Sequence, residues 1–116
     1  MEALREMSCV ACRSDAPTVT EAEIAELHPQ VSEWEIVQQE GIKKLNRVFR
    51  FDDFANALAF TTALGELAEE EGHHPTLLTE WGRTTVTWWT HKIRGLHRND
   101  FIMAAKADEL YQRMSV

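Results

Sequence analysis

Two stretches of alternating hydrophobicity, each doubled back on a glycine turn and separated by one long helical stretch, constrain this chain more than any other feature. Residues 34–39 alternate, with Trp34, Ile36 and Gln38 set against Glu35, Val37 and Gln39, which is the period of a strand. Glu40-Gly41 reads as a turn, and 42–51 alternates again with Leu45, Arg47, Phe49 and Phe51 on one side. This is a hairpin. Thr76–Glu80, Trp81-Gly82 and 83–91 repeat the arrangement, and the last run is dense in threonine, valine and tryptophan, residues that suit a pleated, half-buried surface. Glu80 and Arg83 should flank the second turn, so counting outward sets Thr76 opposite Thr87.

Helices fill the intervals. Thr20 followed by Glu23 is a capping box and opens a helix over Glu21–Leu27, with Ile24 and Leu27 facing inward. His28-Pro29 ends it, because the residue before a proline avoids the α region. Asp52 and Asp53 are good N-caps for Phe54–Glu71, where Phe54, Ala57, Leu58, Leu64, Leu67 and Ala68 fall near helical spacing. Gly72 stands where a left-handed residue closes a helix. A loop over 92–99 leads to a last helix over 100–114, with Ile102, Ala105, Leu110 and Met114 inward. The expected order is αββαββα, an α+β fold with a four-stranded antiparallel sheet covered by helices on one face. Residues 20–116 make the domain, and residues 1–19, which have no period, make a flexible arm.

A chain of 116 residues, 44% of them apolar, is the size of one domain and can bury a core without staples. Its longest unbroken apolar run is the five residues 101–105, too short to span a membrane. No apolar signal core follows the N-terminus, so the expected location is the cytoplasm. The first 72 residues carry nine more acidic than basic side chains and the rest two more basic than acidic, a net of −7. That balance argues against direct binding of nucleic acid, which requires a basic face, and Lys92, Arg94 and Arg98 are too small a cluster to reverse it. Cys9 and Cys12 form a single CxxC. It lacks the second pair of a zinc site and the strand-to-helix context of a redox motif, so it reads as an incidental reduced pair.

Trp88 and Trp89 are adjacent, and a strand would point them to opposite faces. Either one ring lies away from the helices or the strand bulges there. A large aromatic left exposed on that face would mark a partner or ligand surface, and burial of both rings stands equally open.

Four of the five histidines, His73, His74, His91 and His97, follow residue 72. In the second hairpin the end of the last strand returns toward the start of the first, which brings His91 toward His73 and His74. Imidazole is the side chain whose proton moves most easily near neutral pH. At this point three readings stand: an acid–base site, satisfied structural residues, or a metal site, the last without an HxxxH helix or a well-placed acidic ligand set. Glu69-Glu70-Glu71 lies at a helix end, where the macrodipole prefers cations, and locally disfavoured choices tend to mark functional sites. Glu69, one turn before His73, is the residue to single out; Glu70 and Glu71 read equally well as a solvated helix end.

Glu69-x3-His73-His74-Pro75, then five residues to Trp81, nine to His91 and eight to Asp100, resembles the signature of the pterin-4a-carbinolamine dehydratases, and the chain is most similar to the bacterial type. Every position of that pattern is met, and the flanking elements carry the resemblance from about Thr20 to Met114, leaving the CxxC outside. The resemblance implies dehydration of 4a-hydroxytetrahydrobiopterin to quinonoid dihydropterin, in recycling the cofactor of aromatic amino-acid hydroxylases, with no metal or other cofactor. It assigns His73, His74 and His91 to the active site, with His73 and His91 flanking the 4a carbon as acid and base and His74 orienting the pterin. Glu69, Pro75 and the stretch Thr90, His91, Lys92 and Ile93 match pterin-contacting positions, the last two through backbone groups alone. Asp100 would orient an imidazole or cap the last helix, and Trp81 would be core at the hairpin turn. His28 and His97 receive no function. Members form homodimers or homotetramers, and some animal members bind a homeodomain transcription factor and promote its dimerisation. A non-catalytic interaction module of that kind is the alternative.

Overall fold

The computed structural model describes residues 3–10 and 16–114. Three helices, α1 (Glu21–Leu27), α2 (Phe54–Glu71) and α3 (Arg98–Met114), accompany four strands, β1 (Glu35–Gln39), β2 (Ile42–Arg50), β3 (Thr76–Glu80) and β4 (Arg83–Trp88). The architecture is the expected α+β one, αββαββα. All neighbours are antiparallel, and the sheet order β1-β2-β4-β3 sets the two hairpins side by side through β2 and β4. Thr76 pairs with Thr87 and Glu80 with Arg83, the register counted from the turn.

Local chemistry accounts for the boundaries. Thr20 and Glu23 exchange both bonds of the capping box. Glu40 and Gly41 both take positive φ, 53° and 78°, as the two-residue turn matching strand twist demands. Asp53 caps α2 by accepting from the Asn56 N–H. Strand β4 stops at Trp88, short of the expected His91, because Thr90 pairs instead with Gly95, closing a small loop around a 3-10 turn over His91–Ile93. Gly95 sits close to Thr18: a Cβ there would lie 2.6 Å from Thr18 Cγ2, so the threonine side chain would have to turn aside.

The core fills the space between sheet and helices. On the helix-facing side Leu45 pairs with Trp88, Arg47 with Val86 and Phe49 with Thr84. Phe49 packs on Phe60 and Tyr111, with ring centroids 4.7 and 4.9 Å away. Buried Thr84 donates its hydroxyl to the Ala57 carbonyl. Arg47 occupies an inward position because its charge is met there. Asp108 lies 2.6 Å from its Nη1 and also accepts from Trp34 Nε1, while the guanidinium covers the Phe49 ring.

Three packing expectations are corrected. The buried stripe of α2 is Ala57, Phe60, Leu64 and Ala68; helical spacing alone did not decide which of two apolar faces turns inward, and Phe54 and Leu58 stay exposed. Met114 is exposed at the last described turn of α3. Trp81 is 73% exposed rather than core, since the turn carries it past the end of the sheet. Residues 3–10, within the segment expected to be an arm, lie against the body: Leu4 is 2% exposed and the Arg5 carbonyl accepts from Lys106 Nζ. No helix among the described residues is long and apolar enough to cross a membrane.

Candidate active site

The site begins where α2 ends. Gly72 adopts φ 67°, and the N–H groups of Gly72 and His73 both return to the Ala68 carbonyl, so the chain leaves the helix sharply and sets His73 beside the sheet. The His73 ring lies parallel to Trp88, 5.7 Å between centroids and 8° between planes. Its Nε2 is 2.7 Å from Asp100 Oδ1, and the Asp100 side chain is fully buried.

Asp100 is a hub. Its Oδ2 accepts from the Thr90 hydroxyl at 2.8 Å and from the His97 N–H at 2.9 Å. The second of these bonds reaches back from the first turn of α3, so orienting an imidazole and capping the helix fall to one carboxylate. A carboxylate accepts, so Nε2 is the donor in the His73 bond and Nδ1 is the ring nitrogen turned away from Asp100. Among the described residues, the buried Trp88 Nε1 proton finds no acceptor, an arrangement that costs about 1–3 kcal/mol.

The other two imidazoles are held differently. His91 is exposed and stacks on Trp89 at 3.9 Å, 19° from parallel, with Lys44 Nζ 4.5 Å from that tryptophan's centroid. His74, also exposed, bonds through Nε2 to Glu69 Oε1, an arrangement that in water contributes little stability. Trp88 is fully buried, while Trp89, just beyond the strand, is half-buried, an outcome between the two that the adjacent pair left open.

A cleft of about 600 Å³ opens here, within the range that holds small molecules. Its lining includes His73, His74, Trp89, Thr90, His91 and Lys92, and with them Cys9, Val10, Glu71, Gly72 and Asn99. Asp100 stands behind His73 and Glu69 reaches the cleft through His74, whereas Pro75 and Ile93 are not among its lining residues. Sequence reasoning missed the second group. Gly72 carried a signal as a helix stop, Glu71 as a misplaced charge and Cys9 as half of a CxxC read as incidental, while Val10 and Asn99 carried none.

Two titrations are displaced nearby. Burial, reinforced by the charges of Glu71 and Asp100, pushes the Cys9 thiol up to about 12. Burial likewise holds His97 below the usual imidazole value, and its Nδ1 accepts from the Asn99 N–H at 3.0 Å. Cys12 lies outside the described residues. Among the described residues, no group of three or more His, Cys, Asp or Glu side chains is arranged to hold a metal ion.

Comparison with known proteins places this arrangement in a family. A family model described as pterin 4 alpha carbinolamine dehydratase matches residues 17–110. A Nitrosococcus oceani protein bearing the name "Putative pterin-4-alpha-carbinolamine dehydratase" is 62% identical over 110 residues, covering 95% of this chain and 97% of its own. A Gloeobacter violaceus protein of the same name, numbered 1, is 63% identical over 107 residues, 92% of each. A crystal structure titled as a transcriptional coactivator/pterin dehydratase from Brucella melitensis superposes with a TM-score of 0.72 at 30% identity, over 81% of this chain and 98% of that one. A pterin dehydratase-like protein identified as a RuBisCO assembly factor in the alpha-carboxysome gives a TM-score of 0.56 at 27% identity, over 66% of this chain and 89% of that one. Similarity that runs from before the first capping box well into the last helix, at over three-fifths identity in two relatives, makes this chain a member of the pterin 4 alpha carbinolamine dehydratase family.

Proposed function

We propose that this protein dehydrates 4a-hydroxytetrahydrobiopterin to quinonoid dihydropterin by histidine general acid–base catalysis. The observation that carries the reading is the meeting of His73, His74 and His91 on one cleft, with His73 held by a buried carboxylate. In the reaction the C4a–O bond breaks as a proton reaches the departing oxygen, N5 gives up its proton, and C4a=N5 forms with release of water. The step is redox-neutral and needs one base and one acid.

His73 suits the base. Its lone pair rests on Nδ1, and Asp100 stabilises the imidazolium formed when that nitrogen takes the N5 proton. His91, open to the cleft and stacked on Trp89, serves as the acid, and His74 with Glu69 orients the ring. Thr90, Lys92, Ile93 and Pro75 make the remaining pterin contacts of this reading, the backbone of 90–93 meeting the pyrimidinone edge. Each proton transfer is worth about 10²–10⁴-fold. The wider role is recycling of the pterin used by aromatic amino-acid hydroxylases, by a cytoplasmic homodimer or homotetramer.

Loss of the carbinolamine's ultraviolet absorbance tests this directly. The wild-type protein should accelerate it, and His73→Ala or His91→Ala should abolish most of the gain. A second reading, an interaction module that assists dimerisation of a transcription factor, draws on the coactivator named in the Brucella melitensis title. A folded wild-type protein that gives no acceleration would leave that reading and remove the first.

A further inference from the structure

Part of the cleft's lining, Cys9 and Val10, belongs to a length of chain that precedes the family match, which starts at residue 17. It is fastened at both ends. At its start, Leu4 is buried and its N–H donates to Gln30 Oε1, while the Arg5 carbonyl and side chain meet Lys106 and Glu109 of α3. At its far end the Cys9 N–H donates to Glu71 Oε1 at 2.9 Å. Asn99, 1% exposed, takes both backbone groups of Val10: its Oδ1 accepts the N–H at 3.1 Å and its Nδ2 donates to the carbonyl at 2.8 Å. A side-chain amide used in this way reproduces a ladder pair of a sheet.

Both fastenings adjoin the catalytic apparatus of the reading above. Glu71 stands two residues before His73, and Asn99 is the neighbour of Asp100. Cys9 and Val10 are thereby brought into the lining that also holds the three imidazoles. Neither offers proton-transfer chemistry, since the Cys9 thiol is held in its neutral form. What they offer is apolar cover. Val10 is 62% exposed, and a flat heteroaromatic ligand beside it would take that surface out of water.

We propose that residues 3–10 form a substrate-holding strap, in which Cys9 and Val10 contact the bound pterin and tighten its binding without entering the proton transfers. The ligand identity rests on the dehydratase reading, and the placement of the strap does not. Removal of the strap should therefore raise KM and spare kcat, a split that loss of the catalytic geometry would not produce.

The experiment compares the full chain with a variant starting at residue 11 and with Glu71→Ala and Glu71→Gln. The first loses Leu4 from the core, so its fold is checked by circular dichroism. The Glu71 pair keeps the strap and alters one fastening, with glutamine retaining the acceptor oxygen. Initial rates with the 4a-hydroxypterin are read beside a titration with 7,8-dihydrobiopterin followed by tryptophan fluorescence. The truncated protein should show KM and Kd raised about tenfold, equivalent to about 1.4 kcal/mol. Glu71→Ala should raise KM and Kd by about threefold and Glu71→Gln should restore most of that loss, while the truncated protein keeps kcat and its pH profile within about threefold of the wild type. Unchanged KM and Kd in folded variants, or a fallen kcat at constant KM, would overturn the strap. If truncation prevents folding, the Glu71 pair decides by the same criteria. A wild-type protein that neither turns over nor binds the pterin overturns the dehydratase reading and the strap together, whereas one that does both and loses nothing without the strap overturns the strap alone.

Discussion

His73 Nε2 and Asp100 Oδ1 stand 2.7 Å apart, the carboxylate fully buried and the imidazole 11% exposed. The pair joins the end of α2 to the first turn of α3, so the orientation of the His73 ring depends on the packing of two helices as well as on a hydrogen bond. The same carboxylate serves Thr90 and the His97 N–H, which ties the loop after β4 to that orientation.

Asp100→Asn separates these duties. The amide keeps the shape but can place a donor where His73 Nε2–H now donates, which favours the other tautomer and moves the lone pair off Nδ1. We expect kcat to fall about 10²-fold or more, with KM nearly unchanged and the fold retained by circular dichroism. Asp100→Ala should additionally destabilise the protein, because three donors lose their acceptor at about 1–3 kcal/mol for each buried one. A kcat within about threefold of wild type in Asp100→Asn would remove the positioning role.

His97 predicts a stability that depends on pH. Burial depresses its folded-state value below the ordinary 6.5, so below that value the unfolded chain binds the proton more readily than the folded one. The penalty is absent above pH 6.5 and grows as pH falls toward the depressed folded value. Urea midpoints measured from pH 7.5 to 5 should fall less steeply for His97→Gln than for the wild type. Parallel slopes would contradict the assignment.

Cys9, pushed up to about 12, should be a poor nucleophile. In a Cys12→Ser background at pH 8, alkylation by iodoacetamide should run about a hundredfold slower than for an unstructured cysteine peptide, and denaturant should restore the rate. Fast alkylation of the native protein would show that the thiol is neither buried nor neutral.

Gly72→Ala tests the joint between helix and site. At φ 67° a Cβ meets nothing within 4 Å, so the cost is backbone strain alone, about 1 kcal/mol. The expected signature is a Tm lowered by a few degrees together with reduced kcat, because relief of the strain moves His73, the next residue. A lowered Tm with unchanged kcat would place the glycine in the fold and outside the site.

Much of this architecture was legible beforehand for a specific reason in each part. The turn at Glu40-Gly41, the capping box at Thr20 and the stop at Gly72 are contacts within a few residues. The pairing of Thr76 with Thr87 followed from the position of the turn alone. Where a choice depended on distant neighbours the reading failed. Helix α2 has apolar residues on two faces, and only the sheet beneath it selected Phe60 over Phe54 and Leu58. The exposure of Trp81 could not be foretold, since an aromatic at a turn is buried only if something covers it. At the cleft, His73, His74 and His91 were within reach of pattern and spacing, but the part that Cys9, Val10 and Asn99 take in its lining was not.

By itself, then, the chain's order of residues determined which segments are helix and strand, where they turn and which imidazoles converge, because caps, turns and periodicity act over a handful of positions. Tertiary structure alone decided that Val10 would be clasped by Asn99, 89 positions away, and that one buried carboxylate would gather His73, Thr90 and His97. Such bonds require two groups to be brought together by the packing of everything between them, and no local preference of either residue records that meeting.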